Sequence, residues 1–71
     1  MTDIEWYELE KLLSMGLIME WEDNNGKIKI IKQLADELIS ITNKENNSIE
    51  YAYMPIFINE RIDDQIKIKI I

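Results

Sequence analysis

Lys27-Ile28-Lys29-Ile30-Ile31-Lys32-Gln33-Leu34-Ala35-Asp36-Glu37-Leu38-Ile39-Ser40-Ile41 is the stretch on which the fold of this chain turns. Its opening alternates lysine and isoleucine, the period-two signature of a strand with one buried face. From Ile31 the period changes. Ile31, Leu34, Ala35, Leu38 and Ile41 recur at helical steps, with Lys32, Gln33, Asp36, Glu37 and Ser40 opposite them. That arc predicts an amphipathic helix, capped at Asn43.

Upstream, Leu17, Met19 and Trp21 alternate with Ile18, Glu20 and Glu22, and Asp23-Asn24-Asn25-Gly26 supplies residues that accept positive φ. The segment from Leu17 to Ile30 therefore reads as a β-hairpin. Before it, Thr2 and Glu5 have the spacing of a capping box, and Trp6, Leu9, Leu12 and Leu13 fall on one helical arc. A helix is expected from about Asp3 to Met15, with Gly16 as its left-handed C-cap and Glu8, Glu10, Lys11 and Ser14 facing water.

Downstream, Lys44 to Asn47 is turn-forming, and Ser48 to Ile58 alternates Ile49, Tyr51 and Tyr53 against Glu50, Ala52 and Met54, as a strand does. Pro55 cannot donate to a ladder, so it must lie at an edge, at a bulge, or where the strand ends early. Asn59 to Asp64 turns the chain, and Gln65 to Ile71 alternates Ile66, Ile68 and Ile70 inward with Lys67 and Lys69 outward, completing a second hairpin. The expected architecture is a single α+β domain over residues 1–71 in the order α-β-β-α-β-β, a four-stranded antiparallel sheet with two helices packed on one face. Lys27 to Ile31 and Lys67 to Ile71 are the same pentapeptide, but lysine-isoleucine alternation comes readily from AT-rich codons and nothing upstream of the two copies aligns. The isoleucine-rich final strand could extend an unpaired edge into a second copy, giving a homodimer.

Composition narrows function by exclusion. The chain has 71 residues, 46% of them hydrophobic, and neither cysteine nor histidine. One core is all such a length supports, and the apolar content is too high for a disordered tail. No apolar run approaches the ~18 residues of a membrane span. Thiolate chemistry, sulfur metal sites and the commonest general base are absent, so the reading is a non-enzyme without cofactor. Asp63-Asp64 and Asp23-Asn24-Asn25 offer oxygen ligands, but turn chemistry accounts for both and neither has the spacing of a calcium loop. The start Met1-Thr2-Asp3-Ile4-Glu5 lacks the basic and apolar stretches of a secretory signal, which gives a cytoplasmic expectation. Fifteen isoleucines without a valine point to a low-GC bacterium or its phage.

The formal charge of −6 is unevenly placed: residues 1–26 carry seven acids and one base, 27–44 two and four, 45–71 five and three, giving −6, +2 and −2. Glu5, Tyr7, Glu8, Glu10, Glu20, Glu22 and Asp23 are the candidate partner-binding residues, an acidic and aromatic surface suited to the basic surface of a host protein. Trp6 and Trp21 lie on apolar stripes and are expected in the core; Tyr7 lies off the stripe. The alternative is a nucleic-acid regulator in which Lys27, Lys29, Lys67 and Lys69 share the outward faces of two strands beside Tyr51 or Tyr53. The acidic net charge argues against nucleic acid, and exposed strand lysines also serve to block aggregation.

Leu9 to Ile30, with Leu12-Leu13-Ser14-Met15-Gly16-Leu17-Ile18 ending a helix before a strand, an Asp-Asn-Asn-Gly wing and a return strand, resembles part of a winged helix. The resemblance implies DNA binding. The helices that should precede the recognition helix are absent, and that helix carries Glu5, Glu8 and Glu10 where DNA contacts need basic groups. The first expectation is therefore a non-catalytic interaction module, a small phage-type inhibitor docking its acidic face on a basic, nucleic-acid-binding surface of a defence or repair protein.

Overall fold

A computed structural model describes residues 3–62 and 68–71. The elements are β1 (Asp3–Ile4), a 3₁₀ turn (Trp6–Glu8) leading into α1 (Leu9–Ser14), β2 (Met19–Glu22), β3 (Ile28–Ala35), β4 (Leu38–Asn43), β5 (Ile49–Tyr53), α2 (Met54–Asn59) and β6 (Ile68–Ile70). The protein is a small α+β domain. The strands among the described residues form one antiparallel sheet of six in the order β1-β6-β2-β3-β4-β5.

The hairpin predicted from Leu17 to Ile30 is present, with Met19 opposite Ile31 and Trp21 opposite Lys29. Asp23 accepts the amides of Asn25 (2.9 Å) and Lys27 (2.8 Å), and Gly26 adopts φ 77 in the turn. The first helix is shorter than predicted. Asp3 and Ile4 pair with Lys69 and Ile68 as a strand, so the helical segment starts only at Trp6; Thr2 of the expected capping box lies outside the described residues. Gly16, at φ 85, ends α1 as its spacing indicated, with the Gly16 and Leu17 amides bonded to the carbonyls of Leu13 and Leu12.

The second predicted helix does not exist. Ile31 to Ala35 continues β3, Asp36-Glu37 forms a two-residue turn with Glu37 at φ 58, and Leu38 begins β4. The register shifts between Gln33 and Ala35, which leaves Leu34 in a bulge. Leu34 and Leu38, which the helical reading buried, are exposed, while Ile31, Ile39 and Ile41 enter the core. The β-branched residues favour an extended backbone, and sheet pairing on both sides outweighs the local helical pattern.

The predicted strand from Ser48 to Ile58 ends at Tyr53, and Pro55 sits in the first turn of α2, where its missing N–H costs nothing. The second predicted hairpin is also absent: β6 lies between β1 and β2, far from β5. The final strand is thus interior, and the edges are β1 and β5. Four strands become six because Asp3–Ile4 and the Ile31–Asn43 region are extended.

One face of the sheet is covered by α1 and α2 and holds Met19, Trp21, Ile31, Ile39, Ile41 and Ile68, packed with Trp6, Leu9, Leu13, Met54, Phe57 and Ile58. Both tryptophans are buried, Trp6 at 2% and Trp21 at 6% exposure. With Phe57 they form a mutual edge-to-face cluster, centroids 5.5 to 5.7 Å apart. The Arg61 guanidinium covers it, 3.9 Å from the Phe57 centroid and 5.4 Å from that of Trp21, and donates to the Phe57 carbonyl.

Candidate interaction surfaces

The seven acidic and aromatic residues singled out in the sequence fall into three places. Glu5, Tyr7, Glu8 and Glu10 project from the 3₁₀ turn and α1, because the opposite arc of that segment, Trp6, Leu9 and Leu13, is fully occupied by the core. All four are exposed, Tyr7 by 67%. Among the described residues no cation lies within ion-pair distance of these three glutamates. They form an acidic shoulder on the helical layer.

Glu20 and Glu22 alternate with buried Met19 and Trp21, so they stand on the other face of the sheet and do not join the shoulder. There Glu20 pairs with Lys44 at 3.3 Å and lies opposite Lys69 in the ladder. With Glu22, Ile28 and Lys69 it lines a shallow depression of about 120 Å³ whose charges are mixed. Asp23 belongs to the hairpin turn. The Lys27 amide, helped by the Asn25 amide and the nearby Lys29 ammonium at 3.8 Å, holds its carboxyl below the ordinary carboxylate range.

Among the described residues the lysines do not share one face. Lys29 lies opposite Trp21 on the covered face, its ammonium 5.9 Å from the ring centroid, whereas Lys69 lies on the open face. Lys27 is bonded to Glu45 at 2.9 Å, an interaction that raises the pKa of the lysine and lowers that of the glutamate. Lys67 lies outside the described residues. The repeated pentapeptide explains the error: its two copies flank β2 one residue out of step, with Lys29 and Ile68 both opposite Trp21. A one-residue slip sends equivalent side chains to opposite faces. Tyr51 and Tyr53 are on the open face of β5, separated from β6 by three intervening strands. The winged-helix resemblance ends at the hairpin, since β3 carries on into a meander of β3, β4 and β5.

Sequence reasoning did not identify the open face itself. Ile49, Tyr51 and Tyr53 of β5 and Leu38 of β4 are all exposed there, and Ser40 is buried between Lys32 and Tyr51. Alternation within residues 49–53 was a usable signal, but which half faced the helices depended on the register with β4. Behind β5, on the helical side, Glu50, Ala52, Ile56, Glu60 and Arg61 line a groove of about 270 Å³.

Among the described residues no cluster of acidic side chains could hold a metal ion, and no helix is long and apolar enough to cross a membrane. No protein-family model matches the chain, and neither does any curated protein or solved structure.

Proposed function

We propose that this protein is a non-catalytic protein-interaction module whose acidic shoulder, Glu5, Tyr7, Glu8 and Glu10, docks on a basic surface of a partner protein. One observation carries the reading. These side chains share a helical segment whose inward arc is entirely committed to the core, yet among the described residues they make no ion pair or side-chain hydrogen bond. Three carboxylates around an exposed tyrosine steer a cationic surface inward and offer it one large amphipathic anchor. An inhibitor that occupies the nucleic-acid-binding surface of a defence or repair protein is the form of this function that fits the size and charge. Of the acids first considered, Glu20 and Asp23 have intramolecular partners and Glu22 lies on the opposite face, so the shoulder is the part retained.

The test is affinity capture from bacterial lysate beside a nucleic-acid shift assay. The wild-type protein is expected to retain a protein partner in a salt-sensitive manner and to leave nucleic acid unshifted. The Glu5→Ala, Glu8→Ala, Glu10→Ala variant should lose that partner. A partner retained by this variant but lost on replacing Lys27, Lys29, Lys67 and Lys69 would overturn the proposal.

A further inference from the structure

We infer that β5 is a self-association strand, pairing antiparallel with β5 of a second copy about a two-fold axis through Tyr51. Main-chain parity is the first argument. The Asn43 amide bonds to the Ser48 carbonyl and the Met54 amide to the Glu37 carbonyl, so the even-numbered residues of β5 face β4. The amides and carbonyls of Ile49 and Tyr51, and the amide of Tyr53, therefore point out of the sheet edge; the Tyr53 carbonyl begins α2. Centring two copies on Tyr51 places Tyr51 against Tyr51 and each Ile49 against Tyr53 of the other copy. The register supplies about four main-chain hydrogen bonds, two between the Tyr51 residues and one from each Tyr53 amide to an Ile49 carbonyl.

Side chains agree with that register. Ile49, Tyr51 and Tyr53 are 53%, 65% and 51% exposed on the open face, and the pairing joins them into one aromatic and aliphatic ladder. On the helical side Glu50 of one copy faces Ala52 of the other, so the strand's one acid meets a small neutral residue beside the groove that holds Arg61. The edge is lightly protected: β5 contains no lysine, proline or bulge and only one charge, Glu50, whereas the other edge, β1, is only Asp3–Ile4. A second copy is favoured over a foreign strand because the symmetric register partners every outward amide and carbonyl of β5 except the Ile49 amide.

Each chain carries −6, so repulsion opposes pairing and salt should strengthen it. This is the opposite of the salt response expected for the acidic shoulder. Analytical ultracentrifugation of the full chain, from micromolar to millimolar, is expected to move from 8.5 kDa toward twice that mass, earlier at high salt. Tyr51→Pro deletes an outward amide without touching the β4 ladder, and Tyr51→Lys sets like charges against each other at the axis; both should stay monomeric with unchanged circular dichroism. If the proline variant does not fold, the lysine variant decides. Amide exchange at Tyr51 and Tyr53 should slow as concentration rises. A wild-type chain still monomeric at millimolar concentration, a dimer that survives Tyr51→Lys, or a dimer whose Tyr51 amide exchanges as in the monomer would overturn the inference.

Discussion

The two faces of the sheet divide the apolar residues of this protein unequally. On the covered face Trp6, Trp21 and Phe57 lock edge to face beneath Arg61, with Met19, Ile31, Ile39 and Ile68 fully enclosed beside them. On the open face Leu38, Ile49, Tyr51 and Tyr53 are exposed, interrupted by Lys32, Lys69, Glu20 and Glu22. A chain of 71 residues folds around one of these faces and leaves the other, together with the acidic shoulder, exposed. Exposed apolar side chains gathered on one sheet face are the kind of surface that associates.

Substitutions can separate the two faces energetically. Phe57→Ala removes the ring shared by both tryptophans and the guanidinium and should cost about 3–5 kcal/mol in urea denaturation. Tyr51→Ala on the open face should cost less than about 1 kcal/mol in dilute solution. Equal losses would mean that the open face supports the fold. Arg61→Ala comes next, at about 1–2 kcal/mol for lost ring contact, against no measurable change for Lys32→Ala. Gly16→Ala follows with about 1 kcal/mol; a methyl group there meets open space, so the cost is the left-handed backbone alone.

The smallest effects are electrostatic and have opposite signs with pH. Asp23 and Glu45 have carboxyls held below their ordinary values, by the Lys27 amide and the Lys27 ammonium respectively. Their contribution is present above the unfolded pKa of about 4 and is lost as pH falls through the lower folded values. Tyr53 donates to Glu37 at 2.6 Å, which raises the phenol pKa. That contribution is full below about pH 10 and lost as pH rises through the raised folded value. Melting temperature measured against pH should show Asp23→Ala removing part of the acid slope and Tyr53→Phe part of the alkaline one.

Legibility in the sequence followed the range of the interaction. The Leu17–Ile30 hairpin and the inward placement of Trp6 and Trp21 rest on local alternation and turn residues, and they were readable. Residues 31–41 read as a helix because the bulge at Leu34 and the exposure of Leu34 and Leu38 place apolar residues at helical steps by coincidence. The lysines failed for a non-local reason: identical pentapeptides pair with β2 in registers one residue apart, which nothing inside either copy encodes. Tyr7 and the helical glutamates were readable as surface, whereas Glu20 and Glu22 were separated from them by the sheet itself.

In the proposed function the acidic shoulder recognises a partner while the covered face alone holds the fold. Amide chemical-shift mapping of the isotope-labelled protein, titrated with the partner obtained by affinity capture, tests it most directly. Shifts are expected to concentrate in residues 5–11, and the Glu5→Ala, Tyr7→Ala, Glu8→Ala, Glu10→Ala variant should keep its melting temperature and no longer bind. Shifts centred instead on Ile30, Leu38 and Ser40 of the open face, with residues 5–11 unmoved, would contradict it.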